Sequence, residues 1–297
     1  MPYERVTAGE CATYASILKE SFARFGLKPP NPTSDIGQMI AALGWLGTFP
    51  PEAPQPDTAW RADQRKSLDT FVLFEQAKRT AIAVGWAFTI PGSEKVVVRL
   101  KKRLNRLQTQ NEQALDYFFE LDIAHRLARR GIPVAFDEPD LVIGSESLKF
   151  GLACKRPRSL RGLREQIAAA ARQVTRQEFP GMVVIGLEAM LHSSGDPQKP
   201  TVTYLVDKQE QLREMVDPMI DGWLQAVEPA IEEAFAKGVW GILFCGLVTG
   251  IATKAQDGFG AVIYEWFRRP RSSPEFPDGA QMLDQMIFQP PPTSAPS

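Results

Sequence analysis

The stretch FELDIAHRLARRGIPVAFDEPDLVIGSESLKFGLACK, residues 119–155, decides the fold. It begins inside the segment 112–130, where apolar side chains recur every three or four positions, as on one face of a helix. Gly131 follows, and glycine is favoured just past a helix end. The pattern therefore predicts a helix over 112–130. Its apolar stripe comprises Leu115, Phe118, Phe119, Ile123 and Leu127.

Three short apolar runs follow this helix. The first, at 132–136, is β-prone, and Asp140 opens the second. Residues 144–147 have the composition of a turn and lead into the third run, Leu148 to Lys155. This order predicts a short strand followed by a β-hairpin.

Side chains alternate between the two faces of a strand, which places Ala153 and Lys155 on one face of the third run and Cys154 on the other. In an antiparallel hairpin that turns at 144–147, Asp140 lies across from Ala153. The hairpin therefore predicts that Asp140 and Lys155 belong to one site.

This arrangement resembles the PD-(D/E)xK nuclease superfamily through Glu120, Pro139-Asp140 and Ala153-Cys154-Lys155. The resemblance covers roughly residues 108–190 and implies a restriction-endonuclease-like core. It implies that Asp140 and Glu120 hold Mg²⁺ or Mn²⁺ and that Lys155 positions the attacking water. Mg²⁺ prefers hard oxygen ligands, and phosphodiester cleavage needs charge neutralisation and a positioned nucleophile.

The same resemblance implies that a glutamine on the helix after the lysine strand supports the site by contacting the residues that hold the metal. Gln173 is the first candidate, and Gln166 is the second.

The sequence departs from the motif at Ala153, where an aspartate or glutamate is expected. Three interpretations remain open. Glu138 or Glu146 supplies the missing carboxylate; the site works with Asp140, Glu120 and a backbone carbonyl; or the protein is catalytically inactive.

A basic segment follows the predicted lysine strand. Residues 155–164 contain five basic residues and no acidic one. Lysine and arginine contacts with phosphates supply most sequence-independent affinity for nucleic acid. We expect a nucleic-acid partner, DNA in the leading interpretation, although a solvated charged loop would have the same composition. The predicted phosphate-binding residues are Arg156, Arg158, Arg161 and Arg164.

Patterns elsewhere predict helices before this stretch and both helices and strands after it. Helices are predicted at 9–25, 35–46, 67–76, 77–88 (with a strand at 81–88 as the alternative), 96–107, 163–174 and 209–237. Strands are predicted at 181–187, 240–248 and 260–267. The core-facing stripe of the 209–237 helix is expected to comprise Leu212, Met215, Met219, Trp223, Val227, Ile231 and Phe235.

Composition sets further bounds. With 297 residues, of which 44% are hydrophobic, the chain can bury the core of one large domain or two modest ones. Its formal net charge of −1 requires any nucleic-acid binding to come from local patches. Its three widely spaced cysteines argue against a disulfide framework and for a reducing compartment.

We expect a cytoplasmic protein that does not enter a membrane. The N-terminus lacks the pattern of a signal peptide, and the apolar run at 239–252 is too short for a spanning helix. The two histidines, His125 and His192, lack zinc-type spacing, and Cys154 faces the apolar side of its strand. The glycine-rich motifs of serine hydrolases, nucleotide triphosphatases and dinucleotide enzymes are missing from the sequence.

The sequence thus predicts an α/β protein in which helices flank a mixed central sheet. We expect a helical N-terminal region at 1–107, a nuclease-like core at 108–269 and a disordered Pro/Ser-rich tail at 270–297. The leading predicted function is that of a metal-dependent DNA nuclease, which is a phosphodiester hydrolase. A homodimer is compatible with this function. The alternatives are a nuclease-fold protein that binds nucleic acid or a protein without cutting, and an interaction module in which the hairpin is only scaffold.

Overall fold

The computed structural model describes residues 8–24, 31–32, 35–46, 77–103, 112–145, 148–192, 204–206, 209–252 and 262–289. The chain divides into two compact units, Met1–His125 and Arg126–Ser297. The predicted boundaries after residues 107 and 269 stay predictions.

The described part of the first unit is helical. Its elements are α1 (Ala8–Arg24), α2 (Asp35–Leu46), a helical segment at 77–87, α3 (Ser93–Arg103) and the first part of α4 (Glu112–Arg129). The strand considered at 81–88 is not formed, and the helix predicted at 67–76 lies outside the described residues. A buried ion pair joins Arg79 Nη2 to Asp122 Oδ2 at 2.7 Å within this unit.

The second unit contains a seven-stranded sheet and most of its helices. The strands are β1 (Val134–Ala135), β2 (Leu141–Ser145), β3 (Leu148–Lys155), β4 (Gly181–Gly186), β5 (Tyr204–Val206), β6 (Val239–Ala252) and β7 (Val262–Ser272). The helices that follow α4 are α5 (Leu160–Val174), α6 (Glu188–Leu191), α7 (Gln209–Ala236) and α8 (Gly279–Phe288).

The sheet is mixed and open. Strands β1, β2 and β3 are antiparallel to one another, and β3, β4 and β6 are parallel. Strand β7 pairs antiparallel along one edge of β6. Since a strand has only two edges, β4 and β5 must share the other edge of β6, end to end. The predicted mixed α/β class is confirmed.

The hairpin predicted around Asp140 is present. Helix α4 ends at Arg129, and Gly131 adopts φ of +73°, a conformation that favours glycine. Strand β3 has the predicted bounds, and Leu141 pairs with Leu152, which places Asp140 across from Ala153. Helix α5 then crosses over to β4.

The buried stripe of α7 differs from the predicted one. Met215 and Met219 are 47% and 39% exposed, and Trp223 is only partly buried. Leu212, Val227 and Ile231 are buried as predicted, but between them the buried positions each lie one residue after the predicted ones. The buried residues are Leu212, Val216, Ile220, Leu224, Val227, Ile231 and Ala234.

The structure also differs from the disordered tail expected after residue 270. Strand β7 continues to Ser272, and α8 packs against the sheet through Ala280, Leu283 and Ile287. These apolar residues recur at helical spacing within a segment whose overall composition is polar. Residues 290–297 lie outside the described part.

Candidate functional site

Asp140 lies just before β2 and accepts hydrogen bonds from β3. Lys155 Nζ donates to Asp140 Oδ2 at 2.7 Å, and the backbone N–H of Cys154 donates to the same oxygen at 2.8 Å. The side chains of Asp140 and Lys155 are 15% and 20% exposed. Two residues from adjacent strands thus form a largely enclosed ion pair with access to solvent.

Gln173, in the last turn of α5, completes this cluster. Its side-chain amide donates to Asp140 Oδ1 at 3.0 Å and to the backbone carbonyl of Pro139. Both carboxylate oxygens of Asp140 therefore accept hydrogen bonds, and the carboxylate is held between β3 and α5.

Gln166 lies two turns earlier on α5 and is half-buried. Its side-chain oxygen Oε1 is buried and has no hydrogen-bond partner within the part of the chain that the structure describes. Gln173 therefore contacts Asp140 by a hydrogen bond, whereas the side-chain oxygen of Gln166 is a buried acceptor.

Ala153 is fully buried in the core cluster that also contains Leu163 and Ile167 of α5. This position offers only a methyl group in place of a carboxylate. Within the described ranges, no three histidine, cysteine, aspartate or glutamate side chains come together in a way that could hold a metal. Asp140 is the carboxylate that the structure places in contact with Lys155.

The other acids considered for the site have different positions. Glu120 is half-buried on α4 in the first unit, whereas Asp140 belongs to the second. Glu138 is exposed beside the site segment, and its backbone N–H donates to Asp137 Oδ1 at 2.9 Å. Glu146 lies outside the described residues.

The predicted basic residues fall into two groups. Arg156 and Arg158 are half-buried directly after β3. Arg161 is exposed and pairs with Glu165 at 2.8 Å, and this hydrogen bond raises the pKa of Arg161 further above its usual range. Arg164 Nη2 donates to the carbonyl of Ala226 on α7 at 3.1 Å, so Arg164 also joins two helices.

Sequence reasoning missed the backbone contributions to the site. These are the N–H of Cys154 and the carbonyl of Pro139, which carry no side-chain signal. Gly151 offers a partial signal, because a Cβ there would lie 2.9 Å from Pro139 Cδ. A glycine at this position on β3 therefore lets the Pro139-Asp140 segment pack closely.

Each helix in the described ranges is too short or too polar to cross a membrane. Comparisons of the chain with protein-family models, curated proteins and solved structures found no match.

Proposed function

We propose that this chain is a metal-dependent nuclease of the PD-(D/E)xK type that hydrolyses DNA phosphodiester bonds. The proposal is carried by the contact between Asp140 Oδ2 and Lys155 Nζ, 2.7 Å apart on neighbouring strands and still partly open to solvent. It is supported by the order of elements around the pair: a helix, three antiparallel strands, a crossover helix and a parallel strand.

The metal in this proposal is Mg²⁺ or Mn²⁺, and its ligand in the second unit is Asp140. Mg²⁺ commonly binds through one or two carboxylates together with waters and substrate phosphates. Both oxygens of Asp140 already accept hydrogen bonds from the chain, so a metal held there would take most of its other ligands from water and substrate phosphates. When bound, the metal supplies neutralisation of the charge that develops on the phosphate.

Lys155 positions the attacking water in this proposal. An ammonium group has three N–H donors, and the bond to Asp140 uses one of them. The others can hold a water and a phosphate oxygen near the reacting phosphorus. Gln173 and the Cys154 N–H keep the Asp140 carboxylate oriented, which fixes Lys155 in turn.

The nucleic-acid backbone is expected to lie along the segment that leaves β3. Arg156 and Arg158 begin this segment, and Arg161 is exposed in the first turn of α5. Cationic side chains beside the reacting phosphate would hold the substrate in register with Lys155.

A second candidate function is nucleic-acid binding without cleavage. One observation favours it: Ala153 supplies no oxygen where the motif has an acid, and its methyl group is fully buried. Under this function, Asp140 and Lys155 hold the hairpin together and the arginines bind phosphates.

The decisive experiment is cleavage of supercoiled plasmid and single-stranded DNA in Mg²⁺, Mn²⁺ or EDTA. The variants are Asp140→Ala, Lys155→Ala and Ala153→Glu. Lys149→Ala is the matched control, because Lys149 is an exposed lysine on the same face of β3. We expect metal-dependent cleavage that Lys155→Ala lowers by about 10²- to 10⁴-fold and Lys149→Ala leaves unchanged.

Each outcome selects one function. Cleavage that is lost in Asp140→Ala supports the nuclease. Cleavage seen only in Ala153→Glu shows a site that lacks its acid and supports the second candidate. Binding without cleavage by any variant overturns the nuclease, and Glu138→Ala tests whether Glu138 replaces the missing carboxylate.

A further inference from the structure

Two aromatic side chains of the first unit are exposed where the helical segment at 77–87 ends. Trp86 has 37% and Phe88 has 38% of its surface accessible, although large aromatic rings are usually mostly buried. The guanidinium carbon of Arg24 lies 5.7 Å from the centroid of the Phe88 ring, within cation–π range. An exposed ring therefore already has a cation beside it.

A tight turn connects these rings to the most basic helix of the unit. The N–H of Thr89 donates to the carbonyl of Trp86 at 2.9 Å, and the N–H of Ser93 donates to the carbonyl of Ile90 at 3.3 Å. Helix α3 begins there and carries five basic residues and one acidic residue. In a chain whose net charge is −1, this is a pronounced local excess of positive charge.

Lys95 and Arg99 are both exposed on α3, one helical turn apart. The contact of Arg24 with Phe88 and the turn at 88–92 bring Arg24, Trp86, Phe88, Lys95 and Arg99 into neighbouring parts of the unit, and we call these five residues the aromatic–basic surface. The guanidinium of Arg99 also lies 5.5 Å from the centroid of the Tyr117 ring. The aromatic–basic surface combines exposed rings with cations, the pairing found where proteins bind unpaired nucleic-acid strands.

We propose that the aromatic–basic surface binds single-stranded nucleic acid, with bases stacked on Trp86 and Phe88 and phosphates held by the cations. Bases in a duplex are stacked inside the helix, so they cannot reach the rings, whereas an unpaired strand can present them. The inference takes its ligand class from the proposed function and adds a preference for single strands. It needs no contact at Asp140.

The exposed apolar residues of α7 provide a contrast. Met215 and Met219 are at least as exposed as Trp86, but α7 carries seven acidic residues and one arginine. Arg269 pairs with Asp217 and Asp221, and Arg271 pairs with Glu228, but acidic residues still outnumber basic ones on the helix itself, which disfavours phosphate binding. An exposed apolar side chain therefore indicates nucleic-acid binding only where positive charge lies beside it.

The test uses the full chain in EDTA, which separates binding from cleavage. Fluorescence anisotropy measures the affinity for a labelled 30-nucleotide oligothymidylate and for a duplex of equal length. We expect Trp86→Ala and Phe88→Ala each to weaken single-strand binding about 5- to 150-fold, since stacking is worth about 1–3 kcal/mol per base. Trp86→Phe keeps a ring and is expected to retain most of the affinity.

Met215→Ala is the matched control, because it removes an exposed apolar side chain from the acidic helix. The inference is overturned if Trp86→Ala weakens binding no more than Met215→Ala, or if duplex and single strand bind equally. It is also overturned if Trp86→Phe is as weak as Trp86→Ala, since that would indicate a packing role. A loss of cleavage in Asp140→Ala with unchanged binding in EDTA leaves it intact.

Discussion

Asp140 is held by more donors than a turn aspartate needs. It accepts from the side chain of Lys155, from the N–H of Cys154 and from the amide of Gln173, and all three are partly or fully buried. The sequence predicted the approach of Lys155, because hairpin register follows from the turn and from strand alternation. The contact with Gln173 depends on how far α5 lies from the hairpin, which strand and helix periodicity do not specify.

Removal of the Asp140 carboxylate is expected to destabilise the fold as well as the site. Asp140→Ala leaves an ammonium, an amide and an N–H without their acceptor and should lower the free energy of unfolding by about 1.5–3 kcal/mol. Lys155→Ala should cost less, since Asp140 keeps two of its hydrogen bonds. Urea denaturation measures both, with Lys149→Ala as control. A larger loss in Lys155→Ala than in Asp140→Ala would contradict this description.

Asp284 on α8 is expected to make stability depend on pH. Burial raises the pKa of this carboxyl, and Arg268, with Nη1 3.4 Å from Oδ2, opposes the shift. The folded chain therefore keeps a proton that the unfolded chain releases near pH 4, and the free energy of unfolding falls as pH rises from there. Asp284→Asn should gain stability over the wild type between pH 4 and pH 7.

Urea unfolding at pH 4 and pH 7 measures this difference. Glu275→Gln removes an exposed carboxylate from the segment before α8 and controls for net charge. An advantage of Asp284→Asn that is equal at both pH values would rule out titration of Asp284 as its cause.

The order of elements around Asp140 was predicted well, whereas the buried face of α7 and the presence of α8 were not. Strand β3 has the predicted bounds because a turn and a proline-containing segment delimit its hairpin. Part of helix α7 has two apolar stripes one residue apart, and packing on the sheet selects Val216 and Ile220 over Met215 and Met219. Helix α8 was not predicted because the overall composition of residues 270–297 is polar, although Ala280, Leu283 and Ile287 recur at helical spacing within it.

A substitution at Gly241 on β6 tests whether α8 packs against this strand. A Cβ at Gly241 would lie 2.7 Å from the backbone nitrogen of Ala280, a distance that only a shift of backbone can relieve. Gly241→Ala should therefore destabilise the protein by about 1–3 kcal/mol. Gly222→Ala is the control, since a Cβ there meets nothing within 4 Å and alanine favours the helix by about 0.5–1 kcal/mol. A neutral effect of Gly241→Ala would contradict the packing of α8 on β6.

At the scale of the whole molecule, charge distribution matters more than total charge. The net charge of −1 provides no general attraction to nucleic acid, so binding must come from local contacts. Among the described residues we consider two basic pairs: Arg156 and Arg158 after β3, and Lys95 and Arg99 on α3. The slope of log affinity against log salt for the intact chain reports the number of phosphate contacts, whichever part of the chain makes them.

Replacement of either pair by alanine is expected to reduce the slope of log affinity against log salt by about 1.4 for single-stranded DNA, at about 0.7 per phosphate contact. Anisotropy titrations at several salt concentrations measure the slope. The control replaces Lys19 and Lys149, two exposed lysines outside both pairs, and removes the same charge. If this control lowers the slope equally, the slope reports net charge rather than contacts. If only one pair lowers it, that pair alone binds the strand.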